Sequence, residues 1–241
     1  GRRALELHLA LGLCLDLAVG VAADGADAWA DPEAFVSGAT VGAPPDDFSP
    51  KGQNWDVLAW RPQALRERAY APLIAALRAN MRDAGALRID HVMGLMRLFL
   101  IPAGASPKEG AYVHYPFAEL LGVLTLESQR NRCLIIGEDL GTVPEEVRAA
   151  LPPLGVLSFR LLYFEREVDG GFLPPARFES RAVVAAATHD LPTLTGFWRG
   201  LDLERRRALG LFARKRQYED QLLGRNQDRA RLLLALDHEG L

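Results

Sequence analysis

The chain has 241 residues, 49% of them hydrophobic and 24% charged, so it is long enough to bury a full core and too apolar to be disordered throughout. Its 28 basic and 31 acidic side chains give a net charge of −3, and without an excess of positive charge we expect no nucleic-acid partner. No apolar run reaches the roughly 20 residues of a membrane span, and Cys14 and Cys133 form no disulfide framework, so the sequence predicts a cytoplasmic protein without a membrane partner.

Five apolar runs, each ending in polar residues, predict buried strands. Their apolar residues are continuous rather than alternating, which is typical of a parallel sheet covered by helices on both faces. The runs are residues 11–20, 86–92, 133–138, 156–164 and 183–189. The pattern predicts an α/β fold, and because five strands are too few for a closed eight-stranded barrel, a partial (β/α)8 barrel and an open sheet both fit.

The segments between these strands differ in kind. Residues 66–84 and 115–130 have apolar side chains at helical spacing, and residues 201–241 are helical and charged, which predicts a solvated helical cover. Residues 31–61 are rich in proline, glycine and aromatic residues, which predicts a long loop. Loops of this length are commonly lids or binding loops, and the aromatic residues argue against disorder.

Four acidic residues fall at or near the ends of predicted strands: Asp16, Asp90, Glu138 and Asp190. Since the carboxyl ends of parallel strands meet at one edge, we expect these side chains to converge. Any one of them alone would more commonly cap a helix or bind an arginine. Together they can perform retaining glycosyl transfer, which needs two carboxylates about 5 to 5.5 Å apart.

The neighbours of these acids suggest how the roles divide. Arg88 and Asp90 lie on the same side of one strand, where the guanidinium would keep the carboxylate ionised, so Asp90 is the better nucleophile. Glu138 follows an apolar run, and partial burial would raise its pKa and suit it to proton donation. Asp139 is the second candidate for the acid. His189 precedes Asp190 and forms with it either a capping pair or part of the site.

A magnesium site is the alternative interpretation of the same residues, because carboxylate oxygens are also the ligands of hard cations. It would make the protein sensitive to chelators. The sequence has no phosphate-binding glycine loop and no serine nucleophile motif, so nucleotide and serine-esterase chemistry are unsupported.

Several longer motifs resemble the 4-α-glucanotransferase family, glycoside hydrolase family 77. The three most specific are ALRIDHVMGL at 86–95, IIGEDLGTVP at 135–144 and ATHDLPTL at 187–194. Further matches are LDLAVGVA at 15–22, GAPPDDFS at 42–49, GQNW at 52–55 and GAYVHYP at 110–116. The resemblance covers residues 10 to 240 and depends on the order and spacing of all the motifs.

The resemblance implies a role for each matching position. Asp90 corresponds to the nucleophile, Glu138 to the acid/base and Asp190 to the carboxylate that stabilises the transition state. Arg88 orients the nucleophile, and His189 hydrogen-bonds sugar hydroxyls at the cleavage subsite. The other implied sugar contacts are Asp16 and, in a loop over the acceptor side, Asp46, Phe48, Gln53 and Trp55.

The resemblance also implies the setting of these residues. The family uses no metal or organic cofactor, its donor and acceptor are maltooligosaccharides or α-1,4-glucans, and its barrel has strands beyond this stretch. We therefore expect residues 1–241 to be part of a (β/α)8 catalytic domain, with a lid at 31–61 and a helical segment at 201–241. A related α-glucan hydrolase and a non-catalytic glucan-binding fragment are the alternatives. Asp56 stands where family members usually have glycine, so we expect a change in the loop there.

Overall fold

The computed structural model describes most of the chain, namely Glu6 and residues 9–46, 49–212 and 214–241. Two compact units divide the chain, Gly1–Ser158 and Phe159–Leu241. Every helix of the described residues is too short or too polar to cross a lipid bilayer.

The described residues form eleven strands and eight α-helices. The strands are β1 (Cys14–Leu17), β2 (Val21–Ala22), β3 (Ala39–Ala43), β4 (Gln53–Asn54), β5 (Val57–Leu58), β6 (Ala86–Ile89), β7 (Arg97–Pro102), β8 (Ala111–His114), β9 (Leu134–Gly137), β10 (Leu157–Leu161) and β11 (Ala182–Ala185). The helices are α1 (Ala26–Ala30), α2 (Pro62–Glu67), α3 (Ala71–Met81), α4 (Phe117–Asn131), α5 (Glu145–Ala150), α6 (Leu194–Arg199), α7 (Leu201–Ala208) and α8 (Lys215–His238).

All five predicted strands are present, as β1, β6, β9, β10 and β11, each shorter than its apolar run. In the first unit the neighbours β1, β6, β9 and the beginning of β10 pair in parallel. The register places Asp16 opposite Arg88. Leu87 and Ile135 lie in the core, because helices cover the sheet. The second unit contains β11 and the end of β10, and the N–H of Leu162, directly after β10, donates to the carbonyl of Ala185, the last residue of β11.

The prediction of a loop throughout residues 31–61 is wrong, because β3, β4 and β5 lie in this segment. β3 pairs antiparallel with β4 and with β7, and β7 pairs with β8, so these four strands form a second sheet. Gly42 permits the close approach of β4, since a Cβ there would lie 2.1 Å from the Gln53 carbonyl oxygen. Strands of two residues leave no periodic signal, and the partner strand β7 is distant in sequence.

The predicted helix over residues 66–84 is present as α3, but it begins later than predicted, because a break separates α3 from the preceding helix α2. Ala69 and Tyr70 have φ values of 48° and 61°, in the left-handed region. Pro72 explains the break, since its ring and missing N–H are compatible with the first turn of a helix but not with its interior. The predicted helices at 115–130 and 201–241 are present as α4, α7 and α8.

A buried carboxylate connects α3 to α4. Glu127 is 1% exposed, and it accepts hydrogen bonds from Arg78 at 2.7 and 2.9 Å and from Arg130 at 3.0 Å. The hydrogen bonds from Arg78 are the largest cause that lowers the pKa of Glu127 from 4.5 to about 2. The ion pair therefore stabilises the fold only while this carboxyl is ionised.

We predict that Glu127→Gln lowers the free energy of unfolding by about 1–2 kcal/mol at pH 7, because it weakens charge-assisted hydrogen bonds. Since the folded-state pKa is depressed, the difference should persist above pH 4.5 and shrink as the pH falls toward about 2. Urea unfolding at several pH values measures it. Glu145→Gln, at an exposed position of α5, is the control, and a difference that does not depend on pH would contradict the assignment.

Candidate active site

The ends of three neighbouring parallel strands bring three acidic residues to one edge of the first unit. Asp16 lies in β1, Asp90 directly follows β6, and Glu138 directly follows β9. The backbone pairing continues past the strands, because the Asp90 N–H donates to the Leu17 carbonyl and the Glu138 N–H to the Ile89 carbonyl, both at 3.0 Å. The expected convergence is thus present for these three acids.

Arg88 lies between two of these carboxylates. Its Nη1 is 2.7 Å from Asp16 Oδ1 and 2.9 Å from Asp90 Oδ1, and its side chain is only 12% exposed. The predicted pairing of Arg88 with Asp90 is therefore confirmed. The shared guanidinium offsets the repulsion between the two carboxylates and fixes the orientation of Asp90.

Glu138 lies in a different environment. The residue is 8% exposed, and its carboxylate is held by backbone donors. Its Oε2 accepts from the His91 N–H and its Oε1 from the Leu140 N–H, both at 2.9 Å. Burial raises the pKa of the Glu138 carboxyl, and the charge of Asp90 adds to this, while the two hydrogen bonds and Arg88 oppose it. The predicted upward shift is confirmed, and a carboxyl that retains its proton longer suits a general acid.

Asp139, the second candidate for the acid, is buried as well, at 4% exposed. It follows Glu138 directly in the chain. The hydrogen bonds from the His91 and Leu140 N–H groups orient both oxygens of Glu138, so the turns after β6 and β9 position this carboxyl at the strand ends.

The loop residues take different positions. The Trp55 ring packs edge to face on His91 with centroids 5.2 Å apart, and its Nε1 donates to Gln53 Oε1 at 2.9 Å, which places both loop residues beside the strand-end acids. Asp46 closes a turn, since its N–H donates to the Ser49 carbonyl at 3.1 Å. Phe48 lies outside the described residues.

Asp56, at the position where the resemblance implies glycine, has a φ of 57°. Its N–H donates to Asn54 Oδ1 at 2.9 Å. Glycine adopts this left-handed conformation freely and aspartate does so more readily than most residues, so both fit the same turn. The substitution therefore does not require a different backbone path after Trp55.

The remaining predicted residues belong to the second unit. His189 and Asp190 follow β11 by a few residues, with His189 Nε2 3.4 Å from Asp190 Oδ2. Both side chains are more than 70% exposed, and the Asp190 N–H donates to Thr188 Oγ1 at 3.3 Å. They lie after a strand as predicted and are open to a ligand.

Sequence reasoning missed His91, which directly follows Asp90. It has a φ of 47°, it is partly buried, and its N–H is one of the two donors to Glu138. A cavity of about 60 Å³ lies beside Asp90 and His91. Its other lining residues are mostly apolar, among them Leu17, Val19, Ile89 and Leu95. The signal in the sequence that could have identified His91 was its position directly after Asp90, the acid at the end of a predicted strand.

Comparison with known proteins identifies the relatives of this chain. A family model described as 4-alpha-glucanotransferase matches residues 2–237. The curated 4-alpha-glucanotransferase of Haemophilus influenzae is 46% identical over 216 residues, covering 88% of this chain and 31% of the relative. That of Mycobacterium tuberculosis H37Rv is 41% identical over 243 residues, covering 99% and 33%. The chain thus spans about a third of the length of these relatives.

Solved structures give the same result. The crystal structure of amylomaltase from Corynebacterium glutamicum matches with a TM-score of 0.92 and 34% identity, over 99% of this chain and 34% of that one. Amylomaltase from Streptococcus agalactiae in complex with acarbose matches in fold, with a TM-score of 0.68 and 24% identity over 80% of this chain and 41% of that one. Together with the parallel strand order, this confirms the predicted fold class, an incomplete (β/α)8-type α/β domain.

The contacts around Glu138 predict opposite effects of two substitutions. Asp90→Asn should lower the pKa of the Glu138 carboxyl, because it removes a negative charge that raises it. Arg88→Met should raise the same pKa, because it removes a positive charge. A ¹³C NMR titration of the labelled glutamate carboxyls, with the resonance assigned through Glu138→Gln, measures both. Asp83→Asn, in the exposed turn before β6, is the control, and shifts of the same sign in both variants would contradict the described electrostatics.

Proposed function

Because this chain belongs to the 4-alpha-glucanotransferase family, we propose that it supplies the catalytic carboxylates of an enzyme that transfers α-1,4-glucan segments between maltooligosaccharides. The observation that carries the proposal is the pair of unlike carboxyls at neighbouring strand ends. Asp90 is held by the Arg88 guanidinium at 2.9 Å, and Glu138 is buried among backbone donors.

The reaction is a double displacement. In the first step an Asp90 oxygen attacks C1 of the donor sugar and forms an ester bond, while the bond from C1 to the glycosidic oxygen breaks and Glu138 protonates that oxygen. In the second step Glu138 takes the proton of an acceptor hydroxyl, whose oxygen bonds to C1 and releases Asp90. Two inversions at C1 leave the α configuration unchanged.

The electrostatics suit this alternation. Ionised Asp90 raises the pKa of Glu138, so the acid holds its proton while the nucleophile is free. When Asp90 becomes an ester its charge is lost, the pKa of Glu138 falls, and Glu138 becomes a better base. The same pair of residues is thereby set for acid catalysis in the first step and base catalysis in the second.

The other predicted residues take supporting roles in the proposal. Asp190 stabilises the positive charge that develops at C1, and His189 binds sugar hydroxyls. Asp16 contacts a sugar ring from the end of β1. The acceptor-side residues are Asp46, Phe48, Gln53 and Trp55. The packing of Trp55 on His91, next to Asp90, supports this, because an aromatic cover over the site would keep water from the ester intermediate.

The names of the relatives support the proposed substrate class. Two relatives are named 4-alpha-glucanotransferase and amylomaltase, and the Streptococcus agalactiae structure contains acarbose. These names support α-glucans as donors and acceptors. We propose that the natural substrates are maltodextrins derived from glycogen or starch. The free thiols of Cys14 and Cys133 support a cytoplasmic location. We propose that residues 31–61 act as the lid of this partial catalytic domain and 201–241 as its helical cover.

The double displacement requires no metal ion, and the position of Arg88 supports it over the magnesium alternative. Its guanidinium is within 2.9 Å of Asp16 and Asp90, so a cation is already bound between two of the carboxylates that a magnesium site would use. EDTA should therefore leave the transfer rate unchanged.

We predict that the complete polypeptide carrying this sequence converts maltotriose to glucose, maltopentaose and longer chains. Asp90→Asn and Glu138→Gln should each lower kcat/KM by at least about 10³-fold, since one removes the nucleophile and the other the acid. Chromatography of the products measures both. Release of glucose without longer products would instead indicate a hydrolase, and binding of maltooligosaccharides without turnover a glucan-binding fragment.

A fluoride donor separates the two roles. Since α-maltosyl fluoride needs no protonation of its leaving group, Glu138→Gln should release a burst of about one fluoride per protein and gain the mass of the glycosyl unit on Asp90. Asp90→Asn should release none. A burst from Asp90→Asn would show that another residue is the nucleophile.

A further inference from the structure

We propose that His91 is a positioning residue: its ring, packed against Trp55, holds the backbone in the conformation that directs the His91 N–H to Glu138. The inference deepens the proposed function and rests on it for the meaning of Glu138 as the acid/base. Neither the family comparison nor the sequence motifs assign a role to His91.

The backbone of His91 is in an unfavourable conformation. Its φ of 47° and ψ of 61° lie in the left-handed region, which costs a residue other than glycine about 1–2 kcal/mol. It precedes the short 3-10 turn Val92–Leu95. In this geometry two consecutive N–H groups point at Glu138, His91 to Oε2 at 2.9 Å and Val92 to the carbonyl oxygen at 3.0 Å. Such a conformation persists only where the surroundings hold it.

The side chain of His91 provides the restraint. The ring meets the Trp55 ring edge to face, with centroids 5.2 Å apart and planes at 74°, a favoured aromatic geometry. Its other surroundings include the lining of the apolar cavity beside Asp90. Burial lowers the pKa of the His91 imidazole, with the charge of Asp90 opposing, which favours the neutral ring, and its contact with Trp55 is one of packing.

Trp55 thereby connects the loop over the site to the catalytic acid. Its Nε1 donates to Gln53 Oε1, which fixes the indole relative to β4. Its ring contacts His91, whose N–H reaches Glu138. Removing either ring should free the turn to relax toward an ordinary backbone conformation and lengthen the hydrogen bond to Glu138.

The pKa of the Glu138 carboxyl reports on this bond. Burial also raises this pKa, but His91→Ala and His91→Asn both remove the ring, so the difference between these two variants reports on the backbone conformation. The charged groups that act on the Glu138 carboxyl are Asp90 and Arg88, at the end of β6. Two further carboxylates lie nearby: Asp16 on β1, which is paired with Arg88, and Asp139, which directly follows Glu138. None of these is changed by a substitution at His91 or Trp55. Because the His91 N–H favours the ionised carboxyl, loss of the bond should raise the pKa of Glu138.

The test is the ¹³C titration of Glu138 in the complete polypeptide carrying this sequence, without substrate. His91→Ala and Trp55→Ala should each raise the pKa by about one unit, and the double variant should add little, since both act through one bond. His91→Asn should raise the pKa less than His91→Ala, because asparagine also lacks the ring but tolerates the left-handed conformation better than alanine. Trp55→Phe should stay near the parent value because it keeps an aromatic ring. In turnover, the alkaline limb of kcat should move with the titration.

A matched control separates this effect from general destabilisation. Arg132 also has a left-handed backbone, with a φ of 51°, at the end of α4, so Arg132→Ala should lower stability without moving the pKa of Glu138. An unmoved pKa in folded His91→Ala or Trp55→Ala would overturn the proposal, as would a shift in His91→Asn as large as in His91→Ala. If His91→Ala does not fold, Trp55→Ala and His91→Asn decide.

The titration needs no turnover, so the two proposals fail separately. Shifted titrations without glucan transfer by the parent protein would refute the proposed function and support the role of His91. Transfer activity with unmoved titrations would refute the role of His91 alone.

Discussion

The interaction on which the site depends is the ion pair that Arg88 makes with two carboxylates. A guanidinium that is 12% exposed is stable only with its charge compensated, and Asp16 and Asp90 compensate it at 2.7 and 2.9 Å. This requires β1 and β6 to be parallel and in the observed register, which places Asp16 opposite Arg88. A slip of one residue would turn Arg88, together with Asp90, to the other face of the sheet and leave Asp16 without its compensating charge. The hydrophobic core that fixes the register is thus a condition for the orientation of Asp90.

The second carboxyl is controlled by other means. Glu138 has backbone N–H groups as its partners, and burial outweighs their effect, so its pKa rises. Two acids of similar intrinsic acidity therefore differ because one faces a guanidinium and the other faces backbone amides in a buried turn. The chemistry of a double displacement asks for this difference, since one oxygen must attack while the other carries a proton.

How far the sequence predicted the molecule depends on what each feature leaves in the residue pattern. The five strands of the main sheet were predictable because burial on both faces produces a continuous apolar run, and the pairing of Arg88 with Asp90 followed from alternation along a strand. β4 and β5 have two residues each, too few to show a periodic pattern, so their segment was predicted as a loop. The break before α3 depends on the single residue Pro72. The contact of Trp55 with His91 joins positions 36 apart, and no local pattern encodes it.

The residue that was missed shows why side-chain chemistry alone is an incomplete guide to a site. His91 is a familiar acid/base residue beside a carboxylate, yet burial lowers the pKa of its imidazole and the group that reaches Glu138 is its backbone N–H. Every residue but proline has that N–H, so what matters at position 91 is which side chains make the left-handed conformation stable. The restraint comes from packing on Trp55, a residue of the loop. Under the proposed role of His91, a change in the loop alters the acidity of the Glu138 carboxyl without touching it, because the hydrogen bond depends on the backbone angle and that angle depends on the contact between the two rings.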